Sequence, residues 1–272
     1  MILTTALFVT QWTFGFEWAV YIVYLFLSVA VTVIAHNHNH LPIWRGKKMN
    51  ALTDYWLTVF YGFPAFAWIP THNKNHHALN NREGDYTITY RLTEHNHLMM
   101  LLAYPTVSSF YQQKPISDYL KAQWKADRSE FWHCLSEYIL LAVWIVVALV
   151  IDWKKALLFV IIPQQVGLFS VLIFNYIQHV HADEESEWNH SRNFLGLLNT
   201  LLFNNGYHTV HHERAGLHWS KTPEAHAKVA EKISPVLQQP SFWGFIFKSY
   251  FLSIVMPKYK TRSMRAERLS HS

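Results

Sequence analysis

The chain has 272 residues, of which 51% are hydrophobic and 16% aromatic, whereas only 15% are charged. Soluble domains usually carry about 25% charged residues, so this composition is typical of a protein with much of its surface in contact with lipid. The single cysteine, Cys134, excludes an intrachain disulfide framework and a cysteine-rich zinc or iron–sulfur site. We expect one domain over residues 1–272, because the chain is short and has no internal repeat.

Three apolar runs are candidates for membrane-spanning helices. Trp18–Ala35 contains 18 uncharged residues, just enough to cross a bilayer as a helix. Leu135–Ile151 contains only Glu137, and Ala156–Ile177 has no charge. The polar sequence between the last two runs predicts a helical hairpin with a tight turn. Shorter runs are predicted to be interfacial or partly buried helices, at Tyr55–Pro70, Leu98–Tyr111 and Phe242–Met256.

The distribution of Lys and Arg predicts the topology. Of the 23 such residues, 21 lie in the segments 36–131 and 180–272, and only Lys154 and Lys155 lie in the hairpin turn. The positive-inside rule makes the side of these two segments cytoplasmic. The residues before Trp18 either cross as part of a short hairpin or stay on the opposite side. We predict an all-α, integral-membrane helical bundle with a cytoplasmic helical cap.

Two further expectations concern the location of the protein. The basic tail, residues 257–272, is expected to lie against anionic headgroups, and no nucleic-acid partner is expected. A bacterial inner membrane is favoured, with the endoplasmic reticulum as the alternative.

Histidine is strongly enriched, at 18 residues, and most of these residues fall into four clusters on the predicted cytoplasmic side. The clusters are His36, His38 and His40; His72, His76 and His77; Asn175, His179 and His181; and His208, His211 and His212. A pH switch needs only one or two histidines, so clusters at helical spacing favour metal binding. The remaining histidines are predicted to be ordinary surface or capping residues: His95, His97, His133, His190, His218, His226 and His271.

The spacing within the clusters predicts two metals. Residues i and i+4 share a helix face, so His36 and His40 can converge while His38 points elsewhere. Adjacent imidazoles on a helix diverge by about 100°, so one of each pair can serve one metal and its neighbour a second. Nine or more imidazoles exceed the four ligands of a structural zinc site. Ligation by nitrogen without thiolate suits iron, zinc, copper or nickel.

The ordered motifs resemble the three histidine boxes of the integral-membrane fatty acid desaturase superfamily. HxxxH at 36–40 and HxxxHH at 72–77 precede the predicted hairpin, and HxxHH at 208–212 follows it. The Asn/His element at 175–179 resembles the additional Asn and His that follow the last membrane helix in acyl desaturases. Its sequence NYIQH is also similar to the NYxEH element of membrane alkane hydroxylases. The resemblance covers roughly residues 18 to 220.

This resemblance implies a non-haem site for two Fe ions. The ligands that it implies are His36, His40, His72, His76, His77, His179, His208, His211 and His212, with Asn175 bound directly or through water. His38 and His181 are expected to orient ligands. The middle box has three residues between its first two histidines, where several desaturases have two.

The resemblance also implies a desaturase that uses O2 and external electrons to introduce a C=C bond into an acyl chain. The alternatives are hydroxylation or ketolation of an alkyl chain or carotenoid, and oxidative decarboxylation, because the boxes fix the metal and not the substrate. A membrane metal carrier or sensor belongs to another class and would place ligands inside the spanning runs. Because the chain has no CxxC pair, a separate electron donor is expected, ferredoxin-, rubredoxin- or cytochrome-like.

Overall fold

The computed structural model describes residues 1–271 and confirms an all-α fold. The α-helices are α1 (Ile2–Phe14), α2 (Trp18–His40), α3 (Lys47–Tyr61), α4 (His77–Leu79), α5 (Leu98–Ala126), α6 (Arg128–Ala156), α7 (Ile162–His179), α8 (Leu198–Leu201), α9 (His208–Glu213), α10 (Thr222–Ala227), α11 (Phe242–Ile246), α12 (Ser253–Val255) and α13 (Met264–His271). π-Helical segments span Ile69–His76, Leu157–Ile161 and Phe247–Leu252. Short 3₁₀-helices span Ala65–Ala67, Trp219–Lys221, Ala230–Lys232, Pro235–Leu237 and Pro257–Tyr259.

A two-stranded parallel ladder joins β1 (Asn193–Phe194) to β2 (Gln238–Gln239). The chain divides into two compact units. The first unit contains residues 1–70 and 114–171, and the second contains residues 71–113 and the chain from residue 172 onward. Within residues 1–271, two helical stretches are long and apolar enough to cross a membrane, Trp18–His40 and Arg128–His179.

The first unit begins with a helical pair, α1 and α2. Gly15 between them has a φ of 98°, a conformation that favours glycine. The Gln11 side chain bonds both the carbonyl and the N–H of Glu17, and the Glu17 carboxylate accepts the N–H of Val20 to cap α2. With 13 residues, α1 is too short to span a bilayer alone. The N-terminal segment is therefore half of a short helical hairpin.

The predicted hairpin at Asp152 is confirmed. Trp144 and Ala148 of α6 belong to one apolar cluster with Phe159 and Val160. In a straight helix, residues 144 and 160 would lie about 24 Å apart, so the chain must reverse between them. Asp152 leaves the helical conformation at φ −159° and ψ 98°. Its carboxylate accepts the N–H groups of the two lysines that follow, at 3.0 and 3.1 Å, which makes it the N-cap of the returning helix.

The second unit corrects the expectation for the basic tail. Arg268 of α13 donates to Asp183 at 2.7 Å and to Glu184 at 2.8 Å. Arg265 lies 3.1 Å from the same Glu184 carboxylate. These two arginines pair with carboxylates of their own unit, so the prediction that the tail lies against anionic headgroups is wrong for them. The reason is the acidic segment 183–185, which the sequence reading left without a partner.

The Asp152 cap carries a testable prediction. Replacing Asp152 with Ala removes the acceptor for two N–H groups, and we expect a loss of about 1 kcal/mol in unfolding free energy. Asp152→Asn keeps a side-chain acceptor and should remain close to the wild type. Thermal unfolding in detergent compares the three proteins, and equal midpoints for Ala and Asn would contradict the capping role.

Candidate metal centre

Four imidazoles converge in the second unit. His76, His179, His208 and His212 each offer a ring nitrogen, and these atoms all lie within 4.8 Å of one another. The Nε2 of His179 is 3.1 Å from the Nε2 of His76 and 2.9 Å from that of His208. The Nε2 of His212 is 3.2 Å from that of His208. We call these four residues the histidine quartet.

The bonds on the other side of the rings fix which atoms face the centre. Nδ1 of His76 lies 2.7 Å from a carboxylate oxygen of Asp85, which can only accept, so His76 carries its proton on Nδ1. Nδ1 of His179 likewise donates to the carbonyl of His190, at 3.2 Å. In their neutral forms, both residues therefore present Nε2 lone pairs to one another.

This geometry fits a bound metal ion. Two lone pairs at 3.1 Å cannot form a hydrogen bond with each other, whereas a cation between them would satisfy both. Nitrogens bound at about 2.0–2.1 Å to one metal lie about 2.9 Å apart in octahedral and about 3.3 Å apart in tetrahedral coordination. The three separations given above, 2.9–3.2 Å, fall in or near this range. Imidazole donors suit iron, zinc, copper and nickel.

Asp85 is held as a carboxylate behind His76. It is fully buried and accepts the N–H of Asn81 at 2.9 Å and both the N–H and the hydroxyl of Thr87 at 2.7 Å. Burial alone would raise the pKa of Asp85, but the His76 imidazole and the Thr87 hydrogen bonds hold that pKa well below its usual range. An ionised carboxylate behind a ligating imidazole fixes the ring and increases its basicity.

Burial also keeps His212 neutral. It lowers the pKa of His212 well below its usual range, and the neighbouring imidazoles, His77 first, lower it further. A neutral imidazole is the form that binds a metal.

The end of α7 is built to hold His179. Arg192 is buried and donates to the carbonyls of Ile177 and Val180, the latter at 3.1 Å. The Ile177 carbonyl belongs to the last turn of α7 and the Val180 carbonyl follows directly after it, so a cationic donor there stabilises the helix end. The guanidinium thereby fixes the backbone on both sides of His179.

The start of α9 is held by side chains from β1 and from α8. The Asn193 amide accepts the N–H of Thr209 at 3.0 Å and donates to its hydroxyl at 2.8 Å. The N–H of Gly206 donates to Asn199 at 2.8 Å. A Cβ at Gly206 would lie 2.2 Å from the carbonyl oxygen of Phe194, so only glycine fits this turn. These contacts aim His208 and His212, one turn apart, in the same direction.

A second group of nitrogens lies in the same unit. The Nε2 of His77 is 3.1 Å from that of His72 and 3.0 Å from that of His211. We call these three residues the histidine trio. His72 and His77 are five residues apart and would diverge on an α-helix by about 140°. Residues 69–76 form a π-helix, in which i and i+5 are hydrogen-bonded neighbours, so the two rings can meet.

The first box lies in the first unit, at the carboxyl end of α2. The rings of His36 and His40 are 4.9 Å apart, and His36 is 5.2 Å from the Trp68 ring. The placement of these two histidines among the ligands stays a prediction.

The other predicted site residues are held by specific bonds. His38 lies 3.3 Å from Asp54, and His181 bonds the carbonyl of Glu94 at 2.7 Å and the hydroxyl of Thr261 at 2.8 Å. Asn175 donates to the Tyr104 hydroxyl at 2.6 Å. Their assigned roles, ligand for Asn175 and ligand orientation for the two histidines, stay predictions.

Sequence reasoning missed four residues that support the quartet: Asp85, Thr87, Arg192 and His190. The expectation that His190 is a surface or capping residue is wrong, since it is 2% exposed and its ring is 5.5 Å from that of His212. Burial lowers its pKa to about 4, with Arg82 and His76 adding to the effect. The available signal was a polar segment, EGDYT, separated from the middle box by five residues. In contrast, His218 caps the 3₁₀-helix at Trp219–Lys221, as predicted.

The family profile for "Fatty acid desaturase" matches residues 11–243. The chain therefore belongs to the fatty acid desaturase family. No curated protein and no solved structure matches it significantly. Together with the two apolar stretches long enough to cross a bilayer, family membership indicates a membrane protein, and the histidine clusters indicate a metal-binding oxidoreductase.

The support behind His76 can be tested. Asp85→Asn keeps the size of the side chain but removes its charge, so we expect metal affinity to fall by roughly 10- to 100-fold. Metal content after dialysis against a graded chelator measures this loss. Asp118→Asn, at an exposed ion pair of α5, is the matched control and should retain wild-type affinity. Equal metal retention by the two variants would contradict the role of Asp85.

Proposed function

We propose that the protein is a di-iron fatty acyl desaturase that uses O2 and external electrons to introduce a C=C bond. The observation that carries this proposal is the pair of all-nitrogen clusters in the second unit, the quartet and the trio. Together they supply seven imidazoles in the order and spacing of the family's second and third boxes, with His179 from the additional element. Thiolates and carboxylates are absent from both clusters within the described chain.

The ligand set that we propose is the one implied by the family. It contains the quartet and the trio, together with His36 and His40 of the first box and Asn175, bound directly or through water. Bound iron supplies the reaction with O2 that breaks an unactivated C–H bond, which side-chain acid–base chemistry cannot do.

The contribution of the protein is to hold neutral imidazoles in place in a dry site. His76 and His179 are fully buried, and His208 is 4% exposed. Asp85 accepts the Nδ1–H of His76 and the His190 carbonyl accepts that of His179, which leaves the Nε2 atoms of both rings for a metal. Exclusion of water from such a site would direct the chemistry that bound iron supplies to the substrate chain.

Desaturation is proposed over hydroxylation or ketolation because the Asn175/His179 element matches the acyl desaturase pattern. A lipid or acyl chain is the proposed substrate, and the membrane is its source. We propose that the histidine boxes face the cytoplasm, where a separate ferredoxin-, rubredoxin- or cytochrome-like protein delivers electrons to the basic face.

Expression in a host with a simple lipid profile tests the reaction. We expect new double bonds in extracted acyl chains by mass spectrometry, and their complete loss in His208→Ala, which removes a buried quartet member. His218→Ala, at an exposed capping residue, is the matched control and should retain the product. A hydroxylated or keto product that depends on His208 would replace desaturation with the alternative chemistry.

The role of the first box has its own test. Wild-type protein reconstituted anaerobically with Fe²⁺ should hold two iron ions per chain by elemental analysis. His36→Ala and His40→Ala should each bind about one fewer, because each removes a proposed ligand of one metal. Asn39→Ala, between them on the same helix, should keep both irons. Two irons in all three variants would exclude His36 and His40 as required ligands.

A further inference from the structure

A third group of metal-ligating side chains lies in the first unit, on α3 and α6. Asp54, His133 and Glu137 each offer one atom, and these atoms lie within 4.8 Å of one another. His133 and Glu137 are one turn apart on α6 and share a face. Glu137 is the single charge in the apolar run 135–151, and an ionisable residue at such a place usually has a functional role. His133, expected to be an ordinary surface or capping residue, is 25% exposed and lies within 4 Å of both carboxylates.

Glu137 is held by one oxygen and leaves the other free. Its side chain is fully buried, and Oε2 accepts the Thr58 hydroxyl at 3.0 Å and the N–H of Phe66 at 3.1 Å. Oε1 is buried, accepts no hydrogen bond from any described residue, and lies 3.4 Å from Nε2 of His133. A buried carboxylate oxygen without a donor is unfavourable unless a cation satisfies it.

Asp54 is oriented in a similar way by His38. The N–H of Ile43 donates to Nδ1 of His38 at 3.1 Å, so neutral His38 carries its proton on Nε2. That Nε2 lies 3.3 Å from Oδ1 of Asp54 and directs its proton toward this oxygen. His38 is thus a positioning residue, and Oδ2 of Asp54 remains for the cluster, 3.7 Å from Nε2 of His133.

His133 is fixed from its far side. The Tyr55 hydroxyl lies 3.3 Å from Nδ1 of His133 and 2.8 Å from the Ser136 hydroxyl. The Tyr55 hydroxyl can donate a hydrogen bond to Ser136 and accept one from the Nδ1–H of His133. The Nε2 lone pair of His133 then faces the two carboxylates.

The distances favour a shared cation over hydrogen bonds. Separations of 3.4 and 3.7 Å from Nε2 of His133 to the two carboxylates exceed the 2.7–3.2 Å usual for N–H···O bonds. Two ligands on one tetrahedral zinc ion lie about 3.3–3.5 Å apart, a range that contains the His133–Glu137 separation of 3.4 Å, while the His133–Asp54 separation is slightly longer. Two carboxylates and a neutral imidazole also match the charge of a divalent ion.

We propose that Asp54, His133 and Glu137 form a three-ligand site for a divalent metal ion, with zinc as the favoured occupant. Oδ2, Nε2 and Oε1 are the ligand atoms, and water takes the fourth position. The side chains of Asp54 and His133 are 23% and 25% exposed, which provides a route of entry for the ion. This site is independent of the proposed desaturase ligands, since it shares no residue with them.

Zinc stoichiometry tests the site. Full-length protein in detergent is stripped with a chelator, equilibrated with buffered Zn²⁺, and analysed for zinc per chain. We expect Glu137→Gln and Asp54→Asn each to bind one zinc fewer than the wild type. Glu224→Gln, at an exposed carboxylate of α10, is the matched control and should equal the wild type. The same zinc content in all four proteins would overturn the proposal.

Two further variants separate this site from the histidine clusters. In a His76→Ala background, Glu137→Gln should still reduce the zinc content by one ion, because His76→Ala changes the quartet alone. His38→Gln should raise the dissociation constant for the zinc ion that depends on Glu137 by roughly 10-fold or more, but this ion should still bind at saturation. This is the effect expected for a residue that orients a ligand. If Glu137→Gln fails to fold, Asp54→Asn gives the answer, because its side chain is partly exposed.

Discussion

Two unprotonated imidazole nitrogens that face each other at 3.1 Å repel, and much of the second unit is arranged to keep His76 and His179 in that position. The repulsion is relieved only by a shared cation or by protonation of one ring. At His179, burial and the neighbouring His76 imidazole lower the pKa, which opposes protonation of that ring. Binding of a metal and folding of this region are therefore coupled, since the ion removes this repulsion.

The supports for the quartet come from segments far apart in the sequence. Asp85 follows the middle box, Arg192 comes from the loop after α7, and Asn193 belongs to β1. Asp85 holds the His76 ring, whereas Arg192 and Asn193 bond backbone carbonyl and N–H groups at the ends of ligand-bearing helices. The short ladder of β1 and β2, although only two residues long, fixes the segment that carries two of these supports.

The sequence was sufficient to predict the hairpin at Asp152 and the all-α class, because uninterrupted apolar length and polar turns depend on local composition. It could not identify Asp85 or His190, because nothing in their local pattern distinguishes a buried support from an exposed polar residue. It placed the whole basic tail against lipid, because the pairing of Arg268 with Asp183 is a long-range contact. The roles of His38 and His133 could not be predicted either, since Asp54, which both approach, lies on a different helix.

The π-helix at the middle box affects how the spacing of histidines should be compared between chains. A π-helical turn accommodates one residue more than an α-helical turn, so the number of residues between two ligands depends on local pitch. His72 and His77 meet with four residues between them, where a regular α-helix would bring together residues separated by two or three. Two chains of this kind can therefore differ by one residue in the length of a box and still place their metal-facing nitrogens in the same positions. The extra residue is then accommodated by the pitch of the helix, and no ligand is lost.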